Sequence, residues 1–323
     1  MTGESEIIER YFRQGFADGR GVRTGIGDDG AVLRAPDHAD EIVVSCDTLI
    51  DGVHFPKQHG SRHAADLGYR CLAVNLSDLA AMGADPLWFT LALTMPSVDE
   101  DWLQAFSSGL RECAAEANIA LVGGDTCCGP LACTIQVIGS VPQGQALLRS
   151  GAAAGDAIYV SGDLGAAAAW IRGLEHAEPA VDLAGLAARF WRPAAQLALG
   201  KALRKLASAA IDISDGLVRD LAHVLRASRL GAKLQLEDLP LCETLRKFAD
   251  HEQTVKMAAG AGDDYQLCFT IADHKQQKLE RLASELDIRL TRIGQTTEGE
   301  HIEIFYNDQP VSLDHTGFGH FAG

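Results

Sequence analysis

Aspartate residues at the ends of apolar runs and in glycine-rich turns are the feature of this 323-residue sequence that most clearly suggests chemistry. Asp47 and Asp125 each follow a strongly apolar run, and Asp212 lies between two isoleucines. The complete set is Asp28, Asp29, Asp47, Asp78, Asp125, Asp212 and Asp215. Carboxylates that converge at one edge of a sheet repel each other unless cations neutralise their charge. The pattern therefore predicts a binding site for divalent cations.

The available ligand types indicate which metal such a site would bind. Carboxylate oxygens suit Mg²⁺ or Mn²⁺, which bind through a few carboxylates and also coordinate substrate phosphates. A zinc site is not indicated, because the 11 histidines are scattered and the 8 cysteines include no Cys-x-x-Cys pair. For any single aspartate a structural role is the simpler interpretation, and Asp215 could cap a helix that starts at Gly216. The set as a whole favours Mg²⁺ bound together with a nucleoside triphosphate.

Two common phosphate-binding motifs are absent or incomplete. The dipeptide Gly200-Lys201 is followed by alanine and lacks the earlier glycine of a P-loop. Residues 25–30 match Gly-x-Gly-x-x-Gly, but a short strand and a turn follow them where a dinucleotide-binding fold needs a helix. Asp28 and Asp29 would also repel a pyrophosphate in that loop. The sequence therefore argues against both a P-loop enzyme and a Rossmann enzyme.

Charge and composition limit the classes of partner. Lys and Arg number 28 against 44 Asp and Glu, a net charge of 28 − 44 = −16, so we expect no nucleic-acid partner and no anionic membrane surface. Residues 126–148 carry no charge, but glycines and prolines interrupt them, which favours two strands over a membrane helix. The first ten residues hold no apolar stretch, and we interpret the cysteines as free thiols. These features predict a cytoplasmic protein.

Short apolar β-rich runs alternate with longer helical patterns, so we expect a mixed α+β protein with domains at 1–150 and 151–323. A capping box, Ser97-x-x-Glu100, is expected to start the helix at 99–117. The predicted strands are 31–34, 41–45, 87–94, 119–122, 134–141, 157–160, 209–213, 233–236, 266–271, 290–293 and 301–305. The predicted helices are 61–82, 99–117, 163–175, 193–208, 216–228 and 275–286.

The motifs GIGDDGAV, SCDTLIDGVHF, AVNLSDLAAMGADP, LVGGDT, LLRSGA, AIDISDGL and GAGDDYQL follow one another along nearly the whole chain. In order and spacing they resemble the thiamine-monophosphate kinases of the PurM-like ATP-binding superfamily. The resemblance implies transfer of the ATP γ-phosphoryl group to thiamine monophosphate, giving thiamine diphosphate. It also implies a PurM-like two-domain architecture, with an N-terminal ATP- and Mg²⁺-binding α/β domain whose sheet pairs with that of a second subunit in a homodimer, and a C-terminal α/β domain.

Roles for individual residues follow from the same resemblance. Several Mg²⁺ ions would be held by Asp29, Ser45, Cys46, Asp47, Asp78, Asp125, Asp212 and Asp215. ATP would contact Gly124, Asp125, Arg149 and Ser214, and thiamine monophosphate would contact His54, Asp263 and Phe318. The catalytic group would be Asp47, Asp78, Asp125 and Arg149.

The sequence departs from the family pattern at three of these positions. Cys46 replaces the usual threonine, which is harmless if the main-chain carbonyl is the ligand. Asp263 is one methylene shorter than the usual glutamate, and Phe318 lacks the hydroxyl or indole that relatives often carry. None of the three departures falls on Asp47, Asp78 or Asp125.

Two other classes of function remain open on the residues alone. An ATP-consuming synthetase of the PurM-like type is one, although residues 1–30 lack the reactive cysteine and lysine of a selenophosphate synthetase. A non-catalytic sensor of divalent ions or nucleotides is the other, although such a protein would not need Arg149 or the substrate residues. Since the aspartates would be engaged by cations, we expect direct transfer without a phosphoenzyme.

Overall fold

The chain divides into two units, which we call unit 1 (Met1–Leu79 and Ala84–Gly144) and unit 2 (Ala80–Gly83 and Gln145–Gly323). In this computed structural model the described residues are 4–13, 20–26, 31–34, 40–57, 59–175, 183–247, 251–313 and 317–318. None of the described helices is long and apolar enough to cross a membrane.

Unit 1 is built around a four-stranded sheet. Its helices are α1 (Glu4–Ile7, continued as a π-helix over Ile8–Arg13), α2 (His59–Arg62), α3 (Ala64–Ala81, which runs two residues into unit 2) and α4 (Glu100–Ala117). Its strands are β1 (Val22–Thr24), β2 (Val32–Leu33), β3 (Asp40–Ile50), β4 (Asp85–Met95), β5 (Ala120–Cys128) and β6 (Ala132–Pro142). The sheet order is β3-β6-β4-β5, so β3 and β5 are its outer strands. β1 and β2 form a separate antiparallel pair.

Helix α3 packs closely against α4, which fixes where its polar residues lie. A Cβ added at Gly109 of α4 would lie 1.7 Å from the Ala65 carbonyl oxygen, and one added at Gly68 would lie 2.0 Å from the Phe106 carbonyl oxygen. Only glycine allows the two backbones to approach so closely. The buried sides of these helices supply much of the core of unit 1.

The capping box predicted at the start of α4 is wrong, because a different residue caps the helix. The helix begins at Glu100 and its N-cap is Asp99, whose Oδ1 accepts a hydrogen bond from the Trp102 backbone N–H at 3.0 Å. Ser97 lies too far ahead of the first turn to cap it. A capping box needs its acidic residue at the third helical position, whereas Glu100 occupies the first. The short carboxylate of Asp99 therefore replaces the Ser97–Glu100 pair.

Unit 2 holds a seven-stranded sheet in the order β13-β12-β9-β11-β7-β10-β8. Its strands are β7 (Ala157–Ser161), β8 (Ala209–Asp212), β9 (Gly231–Gln235), β10 (Leu267–Ile271), β11 (Leu290–Thr297), β12 (Ile302–Tyr306) and β13 (Gln309–Pro310). Its helices are α5 (Ala166–Glu175), α6 (Leu183–Trp191), α7 (Leu197–Leu203), α8 (Leu217–Ser228), α9 (His251–Gly260) and α10 (Gln276–Leu286). Strand β8 is an edge strand, and the IDISDG motif spans its last two residues and the loop that follows.

The mixed α and β content confirms the predicted fold class, and the uncharged segment at 126–148 does contain strand rather than helix. Three strand predictions were too short by four or more residues, and one of them is the strand predicted at 290–293, since β11 extends to Thr297. β3 extends to Ile50 and β5 to Cys128, so Asp47 and Asp125 lie within strands rather than after them. Both strands are at sheet edges, where one side of the strand is not paired within the sheet and polar side chains are tolerated. Helices α6 and α9 were not predicted, and the helix predicted at 193–208 is confined to Leu197–Leu203.

Candidate active site

Strand β3 and helix α3 bring together three of the predicted site residues. The Ser45 hydroxyl donates a 2.5 Å hydrogen bond to Asp78 Oδ2, and the Asp47 backbone N–H donates to Asn75 Oδ1 at 2.9 Å. Asn75 is itself held by a bond from its amide to the Cys71 carbonyl. Positions 75 and 78 are neighbours on one helix face, and they meet alternate residues of the strand. Asn75, which sequence reasoning missed, thus fixes the backbone at Asp47.

Cys46 points away from this group. Successive side chains of a strand lie on opposite faces, so Cys46 shares the face of the exposed Val44 rather than that of Ser45. On the same face Thr48 exchanges a 2.9 Å hydrogen bond with Thr134 of β6. The Cys46 thiol therefore does not join the Ser45–Asp78 contact, and only its main-chain carbonyl could contribute a ligand there.

Gly124 and Asp125 lie on β5, at the opposite edge of the sheet from β3. A Cβ at Gly124 would lie 1.8 Å from the Leu91 carbonyl oxygen and its φ is +151°, so glycine is required there. The exposed Asp125 side chain accepts a hydrogen bond from the Thr126 N–H. Three strand spacings, roughly 14 Å, separate β5 from β3.

The predicted carboxylates do not form a single cluster. Over the described part of the chain no three His, Cys, Asp or Glu side chains lie close enough together to hold one metal ion. Asp29, and Asp28 beside it, lie outside the described residues. The predicted metal ligands are thus distributed among the β3–α3 contact, β5 and the end of β8.

His54 lies in the turn that follows β3. Its ring Nδ1 accepts a 3.0 Å hydrogen bond from the Ile50 backbone N–H. The His54 backbone N–H donates to the Ile50 carbonyl oxygen. Because a backbone N–H can only donate, Nδ1 is the acceptor, and the neutral ring carries its proton on Nε2. His54 is therefore oriented as a hydrogen-bond donor through Nε2.

In unit 2 the loop at 213–216 joins residues predicted for two different tasks. The Ser214 carbonyl accepts from the Asp263 N–H at 2.8 Å, and the Asp215 carbonyl accepts from the Phe318 N–H at 2.9 Å. Ser214 and Asp215 were predicted on the nucleotide and metal side, Asp263 and Phe318 on the substrate side. Asp212, which precedes the loop, is the last residue of β8 and is buried opposite Leu267 of β10. Main-chain contacts therefore place the two groups side by side.

The segment that carries Asp263 is held in an uncommon conformation. Asp263 and Tyr265 have φ values of +68° and +51°, which non-glycine residues rarely adopt. The Tyr265 hydroxyl donates a 2.9 Å hydrogen bond to Asp263 Oδ1, and a Cβ at Gly262 would lie 2.1 Å from the Ser214 carbonyl oxygen. Strain of this kind persists only where surrounding contacts enforce it, and it is concentrated at functional sites.

A cavity of about 140 Å³ lies beside Asp263. Its charged and polar lining comprises Asp163, Arg189, Arg192, Asp263, Asp264 and Gln266. Asp264 is buried, and this burial raises the pKa of its carboxyl to about 8 although the Gly165 N–H donates to Oδ1. Its Oδ2 has no hydrogen-bond partner among the described residues. A cavity with both guanidinium and carboxyl groups suits a ligand that carries charges of both signs, and sequence reasoning missed both arginines.

Arg149 lies near helix α8, which carries two arginines and a histidine along one face. Arg219, His223 and Arg226 lie at i, i+4 and i+7 on α8, and the Ser228 hydroxyl donates to the Arg149 carbonyl at 3.3 Å. The pKa of His223 is lowered by burial first and then by the guanidinium groups of Arg149, Arg226 and Arg219, so the neutral ring is favoured. This spacing on α8 was a sequence signal for a basic helix face, which the sequence analysis missed.

Comparison with known proteins decides the family. Residues 27–141 match the family described as AIR synthase related protein, N-terminal domain, and residues 153–307 match its C-terminal domain. Thiamine-monophosphate kinase from Escherichia coli (strain K12) is 44% identical over 324 residues, which cover 99% of this chain and 98% of that protein. The chain belongs to the thiamine-monophosphate kinase family. The resemblance inferred from the motifs is confirmed.

Solved structures of the thiamine-monophosphate kinase family have the same fold. The crystal structure of the enzyme from Stenotrophomonas maltophilia K279a is 42% identical, with a TM-score of 0.82, and the match covers 93% of this chain and 94% of that one. A structure of AaThiL complexed with AMPPCP and TMP is 28% identical, with a TM-score of 0.77, and covers 92% of both chains. The PurM-like two-domain architecture is confirmed by these matches.

Proposed function

We propose that this chain transfers the γ-phosphoryl group of ATP to thiamine monophosphate, releasing ADP and thiamine diphosphate. The observation that carries the proposal is the 213–216 loop, whose backbone joins the nucleotide-side residues Ser214 and Asp215 to the substrate-side residues Asp263 and Phe318. A kinase must hold donor and acceptor phosphates next to each other, and the main-chain hydrogen bonds at this junction would bring together the residues that we assign to each of them. The names of the relatives, and the presence of an ATP analogue and TMP in one of them, support the same reaction.

Arg149 and the cationic face of α8 are suited to the triphosphate. Transfer between two anions depends on in-line positioning and on neutralisation of charge, with little covalent chemistry left to the protein. Guanidinium groups grip phosphate oxygens with two parallel hydrogen bonds. Arg149 and Arg226 would therefore bind the phosphates, while Ser214 in the adjoining loop supplies a hydroxyl for ATP.

The donor set fits Mg²⁺. The side chains assigned to the metal offer only oxygen ligands, and Cys46 would contribute its main-chain carbonyl oxygen. The proposed set is Asp29, Ser45, Cys46, Asp47, Asp78, Asp125, Asp212 and Asp215. Mg²⁺ needs only one or two carboxylates at a time when phosphates and water fill its other positions, so one large carboxylate cluster is not required. Because carboxylates are themselves anions, the negative charge of the phosphates would be neutralised by the bound Mg²⁺.

Phe318, Asp263 and His54 are the residues that we assign to recognition of thiamine monophosphate. Phe318 is 46% exposed, and its ring would stack on the aromatic or cationic rings of thiamine. Asp263, held by Tyr265, would offset the thiazolium charge, and His54 would donate through Nε2 to the phosphate of the substrate. The cavity beside Asp263 extends this set with Arg189 and Arg192.

The deciding experiment measures ADP with and without thiamine monophosphate. We expect ADP release to require the acceptor, thiamine diphosphate to form one for one with ADP, and inorganic phosphate to stay at background. Unphosphorylated thiamine should be a poor acceptor because it lacks the attacking anionic oxygen. Inorganic phosphate formed in stoichiometric amounts would instead indicate a synthetase, and ADP release indifferent to the acceptor would refute the kinase. Label from γ-labelled ATP retained on the protein without acceptor would refute direct transfer.

We also propose a homodimer that pairs the sheets of two unit 1 copies. The face of β3 that carries Ile42, Val44 and Ile50 leaves these side chains 48%, 54% and 37% exposed, and contiguous apolar patches mark interaction surfaces. Val44→Glu should convert the protein to a monomer in sedimentation, because a charge would be buried at the contact. Val98→Glu is the matched control, since Val98 is 45% exposed but lies outside the sheet. A monomeric wild type at micromolar concentration would contradict the proposal.

A further inference from the structure

Asp220 in helix α8 makes an unusual set of contacts with the loop ahead of the helix. Its Oδ2 accepts hydrogen bonds from three consecutive backbone N–H groups, those of Ser214 at 3.0 Å, Asp215 at 3.0 Å and Gly216 at 3.1 Å. The residue is only 4% exposed. A buried carboxylate without such partners would be costly, so the three donors account for its presence there.

The position of Asp220 differs from that of an ordinary helix cap. The N-cap residue is Gly216, which has no side chain to accept a hydrogen bond. A larger residue is excluded there, because φ is +127° and a Cβ would lie 2.7 Å from the Gly260 carbonyl oxygen. Asp220, one turn into the helix, reaches back instead and binds N–H groups that lie outside the helix. Its carboxylate therefore holds the loop as well as the helix end.

The two sides of the loop are held by different partners. The N–H groups of residues 214–216 converge on Asp220, whereas the Ser214 and Asp215 carbonyls accept hydrogen bonds from the Asp263 and Phe318 N–H groups. Peptide groups restrained on both sides have little freedom to rotate, so the orientation of the loop side chains depends on both sets of bonds. Loss of the Asp220 acceptor would release one side and change where the other partners lie.

We propose that Asp220 is a positioning residue for phosphoryl transfer: by holding the 213–216 loop it places Ser214 and Asp215 against Asp263 and Phe318. The inference rests on the proposed function, because it assigns Asp220 to that reaction. The inference goes beyond the proposed function because Asp220 is buried and is not one of the residues assigned to contact ATP or thiamine monophosphate. A displacement of about 1 Å in a reacting group costs roughly 10²-fold in rate, so the effect of losing this support should be measurable.

Two substitutions separate positioning from simple helix stability. Asp220→Ala should lower kcat about 10²-fold, and Asp220→Asn, whose carbonyl oxygen still accepts, should stay within about threefold of wild type, a loss below 1 kcal/mol. In the apoprotein, amide hydrogen exchange of the peptide covering 213–219 should speed up in the alanine variant and not in the asparagine variant. Asp99→Ala is the control, since it removes a cap from α4 and should lower the melting temperature without changing kcat.

The outcomes distinguish failure of this inference from failure of the proposed function. A wild-type enzyme that releases no ADP with thiamine monophosphate refutes the function, while the exchange measurement on apoprotein still reports whether Asp220 holds the loop. An alanine variant with unchanged kcat per folded molecule, or with unchanged exchange at 213–219, overturns the positioning role. If Asp220→Ala does not fold, Asp220→Glu replaces it, because the longer side chain keeps the charge and displaces the oxygen. A glutamate variant as active as wild type would then overturn the inference.

Discussion

Asp47→Asn is expected to lower kcat by about 10³-fold, or about 4 kcal/mol of transition-state stabilisation, while the melting temperature changes little. The backbone of Asp47 is fixed by Asn75, and its carboxylate is a proposed Mg²⁺ ligand beside the Ser45–Asp78 contact. Asparagine keeps the size and the backbone bond but removes the charge. The measurement is a rate assay with a melting curve on the same preparation.

Asp40→Asn supplies the matched control for that experiment. Asp40 is on the same strand, seven residues earlier, which places it roughly 23 Å from Asp47 along β3. Its replacement should leave both kcat and the melting temperature near wild type. An Asp47→Asn protein that melts much earlier but keeps its activity per folded molecule would show that Asp47 is structural and not a ligand.

Removal of divalent ions should reduce turnover by at least about 10³-fold, and Mg²⁺ should restore it, because the carboxylates alone would repel the triphosphate. A second readout does not depend on activity. A non-hydrolysable ATP analogue with Mg²⁺ should raise the melting temperature, since ligand at 100 times its dissociation constant stabilises the folded state by about 2.7 kcal/mol. The analogue without a divalent ion should have little effect.

The aspartate variants test the same linkage from the protein side. In Asp78→Asn the Mg²⁺-dependent part of the thermal shift should shrink, because a proposed ligand beside Ser45 loses its charge. The control variant at Asp40 should retain the full shift. Equal shifts in the wild type with and without Mg²⁺ would contradict the claim that these carboxylates hold cations for the nucleotide.

Periodicity predicted most of the regular elements because each carries a local signal. The alternation of apolar residues indicated the strands on either side of residue 130, and the apolar stripe of α4 indicated that helix. Helix α9 was missed because its buried residues, such as Val255 and Ala258, are small and its apolar stripe is weak. Strand β3 was cut short because Asp47 interrupts its hydrophobic pattern, whereas its hydrogen bonding to β6 continues to Ile50.

The sequence by itself determined the chemical types at the site and the family to which they belong. Aspartates and a serine offer oxygen ligands wherever the chain folds, and the order of the motifs is a property of the sequence alone. Tertiary structure decided which of these residues meet. The hydrogen bonds that join Asp215 to Phe318 and Ser214 to Asp263 use backbone N–H and C=O groups. Every non-proline residue carries both groups, so the residue types in the sequence do not indicate that these bonds form. The role of Asp220 was hidden for a related reason: an aspartate in the first turn of a helix is common, and only the fold shows that its oxygen reaches back to three amides of the loop.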